Sequence, residues 1–138
     1  MPLVIVDTGF LYAMADRDDA WYDRVKAYLQ GHRDTFIVPV TVLPEACYLL
    51  NTYIGQDAER QLLISVLQGE MQLESLTRDD LDRTSNLLQA YADANIGFVD
   101  ATLVAIAERL KILRILTTDR RHFAMIRPRH CPFFELLP

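Results

Sequence analysis

At 138 residues and 51% hydrophobic composition, the chain is long enough to bury a real core as one domain over 1–138, yet no segment approaches the length of a membrane span. Its 14 basic and 19 acidic residues leave a net charge of −5, which argues against a broad electrostatic binder of nucleic acid; a nuclease stays open, because a carboxylate cluster loads the negative count until metal binds. Cys47 and Cys131 make neither a disulfide framework nor a zinc set, and the N-terminus lacks the basic region of a signal peptide, so the cytoplasm is the expected compartment.

Residues 3–6, continuously apolar and β-branched, predict a short buried strand, and 8–15 a helical piece. Trp21, Val25, Tyr28 and Leu29 recur at helical spacing up to Gly31. A second strand is expected over 36–38 before Pro39. Thr41 is placed to cap a helix that carries Pro44 in its first turn and ends at Gly55. Leu62, Leu63, Val66 and Leu67 make 57–68 amphipathic, Gly69 stops it, and 71–75 alternates as a strand does. Thr77-Arg78-Asp79-Asp80 resembles a capping box for the helix that follows. Gly97 separates that helix from another over 98–110, and strands are expected at 114–117 and 133–137. Strands alternating with helices argue an α/β sandwich with a mainly parallel sheet.

Four carboxylates interrupt apolar runs: Asp7 after Leu3-Val4-Ile5-Val6, Glu45 after Val42-Leu43-Pro44, Asp100 after Phe98-Val99, and Asp119 after Ile115-Leu116-Thr117-Thr118. Asp7 and Asp119 follow strands, and Glu45 and Asp100 fall in first helical turns leaving the same sheet edge, where open parallel sheets form sites. Both helical acids head apolar stripes and are expected to face inward. Each alone is explained as an N-cap or a helix-dipole partner. Their coincidence at one edge points instead to a shared cation, because buried unpaired carboxylates are costly. Oxygen ligands without a histidine or thiolate cluster suit Mg²⁺ or Mn²⁺ better than zinc. Asp18, Asp19, Glu59, Asp79 and Asp80 lie in polar runs and are expected at the surface. Asp93 reads as an ordinary helix-end residue. His32, His122 and His130 are scattered, His122 being the one to test because it closely follows Asp119.

The segments Val6-Asp7-Thr8-Gly9, Val42-Leu43-Pro44-Glu45-Ala46, Gly97-Phe98-Val99-Asp100-Ala101 and Leu116-Thr117-Thr118-Asp119-Arg120-Arg121-His122-Phe123 together resemble a PIN-domain protein of the VapC type. The resemblance implies a three-layer sandwich with a mainly parallel sheet flanked by helices. It also implies an acidic set at Asp7, Glu45, Asp100 and Asp119 binding Mg²⁺, with Mn²⁺ as a substitute, and internal cleavage of RNA. A homodimer and a VapB-like antitoxin partner are further implications. Many relatives carry a hydroxyl or amide residue two places after the first Asp, where this chain has Gly9, so Thr8 and Thr118 are the remaining hydroxyls for substrate or outer-shell contacts. Arg114, Arg120, Arg121, Arg127 and Arg129 thicken toward the C-terminus. Of these, Arg120 and Arg121 are candidates to touch substrate phosphates; a merely solvated face accounts for the group equally well.

Other readings are open to the residues. Asp7-Thr8-Gly9 matches the aspartic-protease triplet, but that architecture is all-β and this periodicity is largely helical. A phosphate-transfer fold would want a late lysine in a suitable motif, and Lys111 has none. Within the PIN fold, an RNA-processing or structure-specific nuclease without an antitoxin, or a non-catalytic binding module, is the alternative. The intact acidic quartet argues against the last. The helices bearing Trp21, Tyr22, Tyr28 and 62–67 offer apolar surface beyond what one thin layer needs, and core packing is the plain explanation for most of it.

Overall fold

The computed structural model describes residues 2–138. Its centre is β1 (Leu3–Val6), whose Val4, Ile5 and Val6 are wholly buried because neighbours cover both faces and both edges. β2 (Thr35–Pro39) and β3 (Gln72–Glu74) extend the sheet on one side, β4 (Arg114–Leu116) and β5 (Glu135–Leu137) on the other. The order is β3-β2-β1-β4-β5 and every pairing is parallel. The chain builds outward from β1 in one direction and later returns to its other edge. The switch between β1 and β4 opens a crevice at their carboxyl ends, where ligands of such sheets bind.

The helices are α1 (Thr8–Ala13), α2 (Tyr22–Gly31), α3 (Leu43–Tyr53), α4 (Gln56–Leu67), α5 (Arg78–Ala90), α6 (Phe98–Leu110) and α7 (Arg121–Met125). α3 packs on α1 and α4, and α5 on α6. The short α7 is absent from the expected elements, since five residues carry too little periodicity to be read. The expected cap at Thr41 is not made. A 3₁₀ turn over Val40–Val42 precedes α3, and the Thr41 hydroxyl instead meets the Thr102 hydroxyl of α6 at 2.9 Å. The capping box at Thr77 is formed as expected, with Asp80 as its reciprocal partner.

α6 is buried on all sides from Ala101 to Glu108, so its seating is set by charges as well as by shape. Asp80, expected at the surface, is 3% exposed and takes two donors of the Arg109 guanidinium at 3.0 Å. Burial alone would raise its carboxyl pKa, but Arg109 and Thr77 hold it below the usual range. Arg83 of α5 grips Glu108 of α6 through Nε and Nη2 at 2.8 and 3.0 Å. The start of α5 is thereby pinned to the end of α6, which fixes where the first turn of α6 emerges. Arg109→Met should lower the unfolding free energy by about 2 kcal/mol in urea denaturation, because it leaves the Asp80 charge buried and uncompensated; this is below the roughly 3–5 kcal/mol of a fully buried pair because Arg109 is 30% exposed. An unchanged urea midpoint would contradict the clamp.

Candidate active site

Asp7 directly follows β1 and caps α1. Its Oδ1 accepts the Thr8 amide at 2.7 Å, and its Oδ2 accepts the Thr117 hydroxyl at 2.9 Å. Asp100 stands in the first turn of α6, Glu45 in that of α3, and Asp119 three residues beyond β4. All four line one cavity of about 280 Å³, closed by Thr8, Gly9, Leu49, Val99 and Thr118. Among the described residues, no lysine, arginine or histidine belongs to that lining.

Burial is uneven across the four. Asp7 is 7% exposed and Asp100 half-buried, whereas Glu45 and Asp119 are exposed. The expectation that Glu45 points inward is therefore corrected: α3 starts at the cavity rim and its buried stripe runs through Ala46 and Leu50 instead. Thr8 and Thr118 line the cavity as candidates should, and the buried Thr8 hydroxyl finds no partner among the described residues. Arg120 and Arg121 do not line it. The Arg120 guanidinium bonds the Pro138 carbonyl and lies 5.3 Å from the Trp21 ring, so packing occupies it, while Arg121 is exposed. Arg114 is likewise committed to Asp34. Asp93 sits exposed in a 3₁₀ turn outside the cavity.

Two further residues stand at this site. Thr117 is fully buried and ties the loop together: its hydroxyl reaches Asp7, the Asp119 carbonyl at 3.0 Å and the Asp119 amide at 3.1 Å. Only its place beside Thr118, on the same strand end, could have hinted at this. His122 Nδ1 lies 3.0 Å from Asp100 Oδ2, a contact across 22 residues that periodicity does not reveal. Gly9 also finds its reason. A Cβ there would sit 2.1 Å from the Thr118 hydroxyl, so Thr118 fills the space that a side chain at position 9 would need.

Burial pushes the Asp7 carboxyl up from the usual 3.8 to about 6. The Thr117 and Thr8 hydrogen bonds pull it down, less strongly than burial with the charges of Asp100 and Asp119 raises it. Among the described residues, no three acidic, histidine or cysteine groups converge closely enough to hold an ion as they stand. Closer approach is opposed by charge: two unit charges about 4 Å apart repel by roughly 4 kcal/mol at an effective dielectric of about 20. The donor set still fits a hard divalent cation, with four carboxylates, an orphaned hydroxyl and no internal countercharge.

An all-parallel five-stranded sheet with an acidic cleft at its switch point defines an α/β sandwich of PIN-like architecture. A PIN-domain family model matches residues 4–127. Ribonuclease VapC26 of Mycobacterium tuberculosis is 31% identical over 135 residues, covering 98% of this chain and 100% of that protein. The chain belongs to the PIN-domain family, and within it to the VapC type. The fold is shared with the crystal structure of Mycobacterium tuberculosis VapC20, a sarcin–ricin-loop-cleaving toxin, at a TM-score of 0.84 and 24% identity over 98% of this chain and 99% of that one. It is shared also with a toxin–antitoxin complex from Klebsiella pneumoniae (0.68, 18%, 95% and 98%). A third relative in fold is VapBC2 from Rickettsia felis bound to a DNA fragment from its promoter (0.64, 15%, 97% and 96%).

The Asp7 shift has a stability consequence whose sign is fixed. As pH rises from about 4 to about 6, the unfolded chain loses this proton while the folded chain keeps it, so stability falls through that window. Above about pH 6 the loss is complete, about 3 kcal/mol from this group in the metal-free protein. Asp7→Asn keeps the acceptor for Thr8 and can donate to the Thr117 hydroxyl, which retains the Asp119 carbonyl as its own acceptor. The variant should therefore melt several degrees higher than wild type at pH 7.5 in EDTA, with the gap closing toward pH 4. A lower melting temperature at pH 7.5 would contradict the buried-charge assignment.

Proposed function

We propose that this chain is a divalent-metal-dependent endoribonuclease and the toxin of a VapBC-type toxin–antitoxin pair. The observation that carries the reading is the gathering of Asp7, Glu45, Asp100 and Asp119 around one cavity whose lining holds no cation of its own. Asp7, Asp100 and Asp119 would hold Mg²⁺ or Mn²⁺, and Glu45 either completes that set or orients the attacking water. An ion held there would supply Lewis-acid polarisation of a phosphate oxygen and a lowered pKa for its water. The chain's own residues do the rest. Thr117 fixes the Asp7 carboxylate and the Asp119 loop relative to each other. Thr8 and Thr118 present hydroxyls at the cavity wall, and Arg121 is the exposed cation nearest in sequence to it, available to a phosphate of the strand.

The substrate is RNA by the kinship to ribonuclease VapC26. An antitoxin partner is supported by neighbours that are toxin–antitoxin complexes. Tyr28 of α2 packs on Phe10, Phe36 and His32, and Trp21, at the cap of α2, lies against Arg24 and Arg120, which favours a packing role for these two aromatics. Apolar surface remains instead on α3 and α4, where Tyr48, Tyr53, Leu63 and Leu67 are exposed, and it would serve a homodimer or the antitoxin. No described helix is long and apolar enough to cross a membrane.

Purified protein should cut RNA internally in Mg²⁺ or Mn²⁺ and stop in EDTA. Asp7→Ala should lower cleavage at least about a hundredfold, since the buried member of the cation set is lost. Expression of wild type, but not of Asp7→Ala, should arrest growth. Undiminished cleavage by folded Asp7→Ala would sink the assignment, and cleavage without growth arrest would favour an RNA-processing role over a toxin.

A further inference from the structure

Among the described residues, His122 is the one histidine that reaches an acid of the cavity. It belongs to α7, which is anchored by Phe123 at 1% exposure and closed by the Ile126 amide on the His122 carbonyl at 3.2 Å. The backbone beneath the imidazole is therefore held from the core side. His122 and Asp100 side chains are 17% and 23% exposed, so water competes little for their 3.0 Å contact. Facing a carboxylate oxygen, Nδ1 must carry the hydrogen and donate it.

Two details separate this contact from a ligand role and from a surface pair. Asp100 lines the cavity and His122 does not, so the imidazole stands behind the carboxylate. The bond also engages Oδ2 alone, leaving Oδ1 without a protein partner among the described residues. We propose that His122 is a positioning residue: it holds Asp100 from behind in the orientation that turns the free oxygen to the cavity. The proposal rests on the reading of Asp100 as a cation ligand. A free aspartate in a first helical turn samples several rotamers, and the His122 bond selects one of them. A donor that holds a ligating carboxylate from outside the ion's own shell is worth about 10–100-fold in affinity.

Mn²⁺ binding to the full chain, followed by calorimetry, tests this without reference to activity. His122→Leu should weaken Mn²⁺ by about 10–100-fold. His122→Asn, whose side-chain amide can reach the same oxygen, should stay within about threefold of wild type. Wild-type affinity in folded His122→Leu, or equal weakness in His122→Asn, overturns the proposal. A wild-type protein that takes up no Mn²⁺ overturns the cation reading itself and this proposal with it, a result distinct from the first because there the wild type binds. Nitrogen-15 shifts of the imidazole in metal-free wild type decide the contact without any variant. Hydrogen on Nδ1 is expected, and a neutral ring with hydrogen on Nε2 alone overturns it.

Discussion

Asp7 directly follows the central strand and caps the next helix, and its amide bonds the Leu116 carbonyl at 2.9 Å, so strand and helix together fix it. Its carboxylate is nearly out of water, and the donors that reach it, the Thr8 amide and the Thr117 hydroxyl, are neutral. At neutral pH the fold thus carries a charge that it has not compensated. Elsewhere the same chain shows how it compensates a buried acid when structure alone is at stake: Asp80 receives Arg109, and Glu108 receives Arg83. The missing cation at Asp7 is a feature of the place rather than a habit of the sequence. A local violation of this kind, in an otherwise consistent structure, marks a functional site.

The remaining acids reach the same cavity because other contacts aim their elements there. The Asp80–Arg109 and Arg83–Glu108 pairs fasten the end of α6 to the start of α5. Eight residues back along α6, about 12 Å, Asp100 emerges at the opposite edge. The Thr41–Thr102 hydroxyl contact joins the turn that launches α3 to this same helix, which brings Glu45 to the same cavity. Thr117 does the equivalent for Asp119. The cavity is an outcome of packing between distant segments, and the Asp80–Arg109 and Arg83–Glu108 pairs lie at the other end of α6, where they cannot neutralise it.

Much of this was legible in the residues. Continuous β-branched runs such as Val4-Ile5-Val6 mark buried parallel strands, and the capping box at Thr77 and the break at Gly97 mark helix starts. Acids that end apolar runs betrayed the shared edge, since strand ends and first helical turns coincide there. What was not legible depends on tertiary partners. Asp80 looked solvated because its polar run says nothing of Arg109, 29 residues away. Thr41 looked like a cap because its competing partner, Thr102, comes from another helix. Glu45 looked buried because its neighbours are apolar, yet the first turn of α3 lies at a rim. Arg120 looked free for phosphate because nothing local discloses the Pro138 carbonyl or the Trp21 ring.

The central claim is that the uncompensated Asp7 carboxylate is where a divalent cation is admitted, and that at about pH 6 and below the cation displaces a proton from it to enter. Proton release on Mn²⁺ binding measures this directly, by calorimetry in buffers of differing ionisation enthalpy. With an Asp7 pKa of about 6, wild type should release about half a proton per ion at pH 6 and almost none at pH 8, and Asp7→Asn should release none at either pH. Binding that releases no proton at pH 6, or an unchanged release in Asp7→Asn, would contradict the account.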